Sequence, residues 1–420
     1  MALLMSFYAR MRNIQQKNEI SNKNKENYAF KLYTFERIFP IVSDQREIPH
    51  PRSGHRIGCN STNLYVYGGY TPQYVDPASG ILMQHLFNEL WQFNFATRKW
   101  MLLPGQETIP PELASVALIF DGKTLMVYGG TNLPFGEQSS NKLYFCVLTK
   151  GNFYHGMQLV DASGSMPPPM YGQALVYHNG YLYVIGGTTG YDYTCDIHRI
   201  NLSTMKWEDV FIDTGGLDYM PAGRYRHEVA FDGEHIYILG GGTNVTAFDL
   251  EYIPTFNINE KKWAKKQTKR DPIERQNCGI PEPRMCHSCV QYKDENNEIY
   301  VYIIGGNNGP DTVYNEMWRL QLSTLQWTKI TNKPLPFPVY FNSACVTQEG
   351  KMYLFGGINR DESKRTNYLH SAWIVIPKLS EMCWESLLHY NPNLCKSSKA
   401  ELLNQGIPAH FIERLYDNIC

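Results

Sequence analysis

The residues of this 420-residue chain best suited to chemistry are arginines set among hydroxyls and aromatic rings. Arg360 and Arg365 stand five apart behind the pair Gly356-Gly357, and Arg224 and Arg226 flank Tyr225 in the stretch from Pro221 to His227. Ser53, Tyr70 and Tyr171 occupy comparable places elsewhere in the chain. A guanidinium keeps its charge at every physiological pH, so this set suits binding rather than proton transfer. The competing role for each arginine is a solvated loop charge or a bridge between sheets. His55, His227 and His287 recur at one position of a repeat, which makes them structural hydrogen bonders rather than catalysts. Cys286-His287-Ser288-Cys289 has no second ligand pair at finger spacing, so no metal site is expected there. A copper site would need convergent Tyr, His and Cys ligands, and none stand together outside repeat positions. No GxxxxGK phosphate loop and no GxSxG elbow occurs. The expectation is a binding protein with no cofactor and no catalytic centre of its own.

Composition is consistent with that. The chain is 43% hydrophobic and 19% charged with a formal net charge of -1, a balance that draws it toward neither nucleic acid nor an anionic membrane. Protein partners are expected instead. No stretch reaches the roughly 20 apolar residues of a membrane span. Ten cysteines are scattered without disulfide spacing, which suits a reducing cytoplasmic or nuclear location.

The elements that must position these residues announce themselves by repetition. Leu64-Tyr65-Val66-Tyr67-Gly68-Gly69 is echoed by segments ending at Gly130, Gly187, Gly241, Gly306 and Gly357. Each is a β-branched and aromatic run suited to a buried strand, stopped by a glycine pair. The pairs are separated by 61, 57, 54, 65 and 51 residues, near or above the span of a four-stranded blade. A proline-led segment precedes most pairs, and Trp207, Trp263 and Trp327 follow theirs by 21 to 23 residues, with Trp100 delayed by an insertion between Tyr70 and Leu86. The second unit has no Trp and offers Phe153 or Tyr154. The fourth lacks an aromatic-rich third strand. The sixth ends at Pro377 without a fourth strand.

A hydrophobic strand, a glycine pair and a spaced aromatic residue together resemble the kelch repeat, over about Tyr28 to Pro377. The resemblance implies an all-β six-bladed kelch β-propeller, with a strand near Phe30 to Phe35 closing the ring. Residues 1–27 are expected to be a disordered leader, 28–377 the propeller and 378–420 a helical segment. Pro377 opens a helix with Leu379, Cys383 and Leu387 on one stripe, and Asn391-Pro392-Asn393 stops it. Ser398 with Glu401 forms a capping box for a second helix ended by Gly406, and Pro408 opens a third.

Leu379, Cys383 and Leu387 resemble a BC box, and Ile407, Pro408, Phe411 and Leu415 resemble a cullin-2 box. Both occur in the order found in kelch-containing substrate receptors of the cullin-2/elongin type. That resemblance implies elongin C, elongin B, cullin-2 and a RING-box protein as partners, with no catalysis by this chain. It also implies capture of substrate C-termini ending in small residues, at a propeller mouth carrying Ser53, Tyr70, Tyr171, Arg224, Tyr225, Arg226, Arg360 and Arg365. In such relatives two arginines five apart pair with a serine of the next blade, which Arg360, Arg365 and Ser53 match in part. The alternative is a non-enzymatic signalling or cytoskeletal scaffold whose C-terminal helices brace the propeller. Burial of Leu379, Cys383 and Leu387 would favour the brace.

Overall fold

The computed structural model describes residues 27–42, 47–76, 79–148, 156–215, 219–273, 279–330 and 335–416. The leader expected before Tyr28 lies almost wholly outside them, as do Phe153 and Tyr154. Each glycine-pair segment is the second strand of an antiparallel sheet, and a hairpin on either side supplies its neighbours. The first sheet runs Arg56–Cys59, Asn63–Tyr67, Leu90–Asn94, Lys99–Leu102. Five more repeat the scheme, beginning at Ala117–Asp121, Ala174–His178, Glu228–Phe231, Ser288–Lys293 and Ser343–Val346. The third sheet gains a fifth strand, Ser163–Gly164, parallel to Lys206–Phe211. First strands of consecutive sheets touch in sequence order, and that of the sixth touches that of the first.

Tryptophans fill the seams between sheets. Trp207 packs 5.4 Å from Tyr128 of the second sheet, Trp263 lies 6.0 Å from Phe211 of the third, and Trp100 lies 5.4 Å from Phe355 of the sixth. Burying such rings supplies the apolar contact that a single sheet cannot make for itself.

Two expectations change. The fourth sheet does have an aromatic third strand, Tyr252–Asn257, whose Phe256 is buried 5.0 Å from Trp263; its pattern is obscured by Pro254. The strand completing the sixth sheet is Glu36–Ile38, paired with Leu369–Trp373, and not Phe30 to Phe35. Tyr33 adopts φ of 55°, which breaks the extended run, and Leu32 makes only an isolated parallel bridge to Trp373.

Among the described residues beyond Pro377 there are three α-helices: α1 (Leu379–Tyr390), α2 (Lys399–Asn404) and α3 (Ala409–Leu415). Ser398 and Glu401 form the capping box at α2. Trp384 stacks on Phe411 at 5.1 Å, inside a small core with Leu387, Leu402, Ile407, Ile412 and Leu415. The helices lie against hairpin turns at the end of the sheets opposite the glycine pairs. Asn94 donates to the Arg414 carbonyl at 3.0 Å. Glu385 pairs with Lys351 and accepts from Trp373 Nε1 at 2.8 Å and the Tyr28 hydroxyl at 3.0 Å. Burial pushes the Glu385 pKa up, but these partners hold it below the usual carboxylate range.

Candidate functional site

At the glycine-pair end, one residue ahead of a buried lead-in position in each sheet adopts a left-handed backbone: Gly54, Ser115, Gly172, Arg226, Cys286 and Phe341. Their main chains hand hydrogen bonds around a cycle. Ser115 N–H donates to Gly54 C=O, Gly172 to Ser115, Arg226 to Gly172, Cys286 to Arg226, Phe341 to Cys286 and Gly54 to Phe341, at 2.8 to 3.4 Å. Beneath this ring Arg56 of the first sheet reaches Glu228 of the fourth at 2.7 Å and donates through Nε to Val116 C=O at 3.2 Å. This ion pair ties the first sheet to the fourth across 172 residues of chain.

The next residue on the chain latches neighbouring sheets. His227 illustrates it: its ring lies where a Cβ on Gly186 of the third sheet would sit, 2.8 Å from Cε1, and its own Cβ fills the space beside Gly241. His55 and His287 repeat this against Gly356 and Gly240. His55 Nε2 also lies 3.1 Å from Phe355 O. Burial, and then nearby arginines, lower all three imidazoles to about 3, so they are neutral at physiological pH. They hold the sheets by packing more than by the hydrogen bonding expected of them: both ring nitrogens of His287 are buried without a hydrogen-bond partner among the described residues.

Above the ring, residues that precede the left-handed positions pair with residues just past the glycine pairs. Ser53 bridges Tyr70, Tyr171 bridges Thr188, Tyr225 bridges Gly242 and Met285 bridges Asn307. Tyr171 and Tyr225 lie 6.0 Å apart, and burial raises the pKa of both phenols, which keeps them hydrogen-bond donors. The four arginines part company here. Arg365 Nε donates to Ser53 Oγ at 2.8 Å, and its guanidinium lies 4.9 Å from the Tyr70 ring centroid. Arg226 is held between the rings of Tyr225 and Phe341, at 4.5 and 4.2 Å. Among the described residues no carboxylate pairs with either. Arg360 is exposed and is not drawn into this cluster.

Arg224 does a different job. It is buried, with Nε on Ala222 C=O at 3.1 Å, Nη1 on Gly240 C=O at 3.0 Å, and Phe248 4.2 Å away. Arg52 and Arg284 repeat that clamp on Gly68 and Gly305, adding Glu89 at 2.6 Å and Glu316 at 2.7 Å. These two were missed in the sequence, although each of the three arginines stands three residues before its histidine.

At the helical end Leu379 is half exposed, whereas Cys383 and Leu387 are buried. The three lie on one stripe of α1, at i, i+4 and i+8, but only its later turns are covered: Cys383 and Leu387 pack against the neighbouring residues, while Leu379, in the first turn, stays half exposed. Ile407, Phe411 and Leu415 are likewise core residues, and Pro408 is exposed.

The sequence profile of the KLHDC2/KLHL20/DRC7 Kelch-repeats domain matches residues 16–241 and 254–402. The chain belongs to the kelch-repeat family. Within it, kelch domain-containing protein 10 of Xenopus tropicalis is 43% identical over 378 residues, covering 89% of this chain and 88% of the relative. The human protein of that name is 43% identical over 370 residues, covering 87% and 80%. The Drosophila melanogaster homolog is 42% identical over 400 residues, covering 91% of this chain but only 66% of the relative's length. The kelch repeats thus form a β-propeller whose mouth carries the arginine and tyrosine cluster.

Proposed function

We propose that this kelch protein is the non-catalytic substrate receptor of a cullin-2 RING ubiquitin ligase, acting in the cytoplasm and nucleus. Residues 28–377 form a six-bladed propeller closed by Glu36–Ile38, and the cyclic hydrogen bonds beneath the mouth support that closure. Residues 378–420 recruit elongin B, elongin C, cullin-2 and the RING-box protein. Transfer chemistry belongs to those partners, while this chain supplies proximity and choice.

Arg365 is the observation that carries the reading. Its Nε is spent on Ser53, its face rests on Tyr70, and its Nη nitrogens bond no described residue. A substrate's terminal carboxylate fits that fork. Elongin contact is led by exposed Leu379 rather than by Cys383 or Leu387, and cullin-2 contact by Pro408. Burial of those two residues and of Phe411 favours a second reading, a scaffold whose helices brace the propeller.

The test is capture of elongin B/C by the full chain, with and without cullin-2, beside Leu379→Asp. Capture that the surface substitution abolishes supports the receptor. Failure of the folded parent chain to capture elongin leaves the scaffold.

A further inference from the structure

Among the described residues, two of the loops that follow a glycine pair fold into separate ribbons: a short one after the sixth sheet, Ile358–Asn359 with Lys364–Arg365, and a longer one after the first. After its glycine pair the first sheet sends out a two-stranded ribbon, Tyr70–Val75 and Leu82–Leu86, that joins no other described sheet. Its root is anchored. Tyr74 stacks on His85 at 4.2 Å, His85 meets Phe87 at 4.9 Å, and Phe87 covers the buried Arg52 at 4.0 Å. Its far end is apolar and uncovered: Val75, Ile81, Leu82 and Met83 are 45% to 64% exposed. Other mouth loops show single apolar tips, such as Tyr191 and Val245. Scattered tips are ordinary, whereas four apolar side chains on one ribbon mark an interaction surface. Val75 pairs across the ribbon with Leu82, and Tyr74 with Met83, so both faces are apolar. Among the described residues, strand Leu82–Leu86 pairs only with Tyr70–Val75, which leaves an edge for an added strand.

The ribbon begins at Tyr70, the residue whose ring rests on Arg365. We infer that it is a second docking surface for the same ligand. The ligand's end lies at Arg365 and Ser53, and its upstream segment, extended and apolar, runs along the ribbon toward Val75, Leu82 and Met83. This rests on the proposed binding of a chain end. An extended strand rises about 3.3 Å per residue, so the distance from Tyr70 to Val75 is covered by about five ligand residues. The apolar contacts therefore fall roughly five to seven residues from the ligand's terminus, a region that the carboxylate site does not read.

The experiment uses the full chain and fluorescently labelled ten-residue peptides with one shared free C-terminus. One carries Val and Leu at the fifth to seventh positions from the end, and the other carries Ser there. A three-residue peptide with the same end and an amidated copy complete the set. The apolar ten-mer is expected to bind about tenfold tighter than its serine counterpart. In the variant Val75→Ser/Leu82→Ser/Met83→Ser that advantage disappears while the three-residue peptide binds as before, which also shows the variant to be folded. Equal binding of both ten-mers, or an advantage that survives in the variant, overturns the ribbon's role alone. Binding that ignores amidation, or no binding by any peptide, overturns the carboxylate reading and the ribbon with it.

Discussion

Acidification offers the sharpest test of the sheet-to-sheet latches. His55, His227 and His287 are fully buried and neutral, with folded pKa values of about 3 against an ordinary 6.5. Above pH 6.5 both folded and unfolded chains leave these rings unprotonated, so they impose no pH dependence. As pH falls below 6.5 the unfolded chain takes up protons that the folded chain refuses, and stability is lost until the folded values are reached. Each such group contributes a slope of about 1.4 kcal/mol per pH unit, so three together give about 4 kcal/mol per unit between pH 5.5 and 4. The perturbation is His227→Gln, because Gln173 already occupies the equivalent place against Gly129. Urea unfolding across pH 7 to 4 should show the variant's slope shallower by about 1.4 kcal/mol per unit. His370 and the carboxylates also titrate in this range, but they contribute to both proteins and cancel in the difference. Identical slopes would refute the claim that His227 is buried as a neutral latch.

Other expectations follow from single contacts. Gly240→Ala places a Cβ 2.4 Å from the Arg284 carbonyl at φ of +57°, and should lower stability by about 2 kcal/mol or more, read as the thermal midpoint. Arg284→Ala strips the Gly305 carbonyl and Glu316 of their buried guanidinium, leaving Glu316 with Lys329 at 3.2 Å, and should cost about 2 to 3 kcal/mol in chemical unfolding. By contrast, Arg365→Ala should move stability by under about 1 kcal/mol while abolishing discrimination between free and amidated peptide ends. Trp207→Ala opens the seam to the second sheet and should cost about 3 to 5 kcal/mol. Arg414→Ala removes two 2.8 Å bonds to Glu381, so amide exchange in α1 should quicken while exchange in the sheets stays unchanged.

The amino-acid sequence by itself determined the six repeated second strands, the glycine stops, the tryptophan seams and the three helices with their capping box. These are local or periodic features: a strand's apolar run, a left-handed turn or a cap depends on residues a few positions apart. Tertiary structure decided which donors are available. Arg224 and Arg365 look alike in the sequence, yet one is spent on Gly240 and Ala222 while the other meets Ser53, 312 residues away. The same holds for Arg56 and Glu228, 172 residues apart, and for the small helical core that takes Cys383 and Leu387 out of reach while leaving Leu379 in water. Spacing along the chain encodes which residues share a strand or a helical stripe. Which charges find partners, and which apolar side chains stay uncovered, is settled only when distant segments pack together.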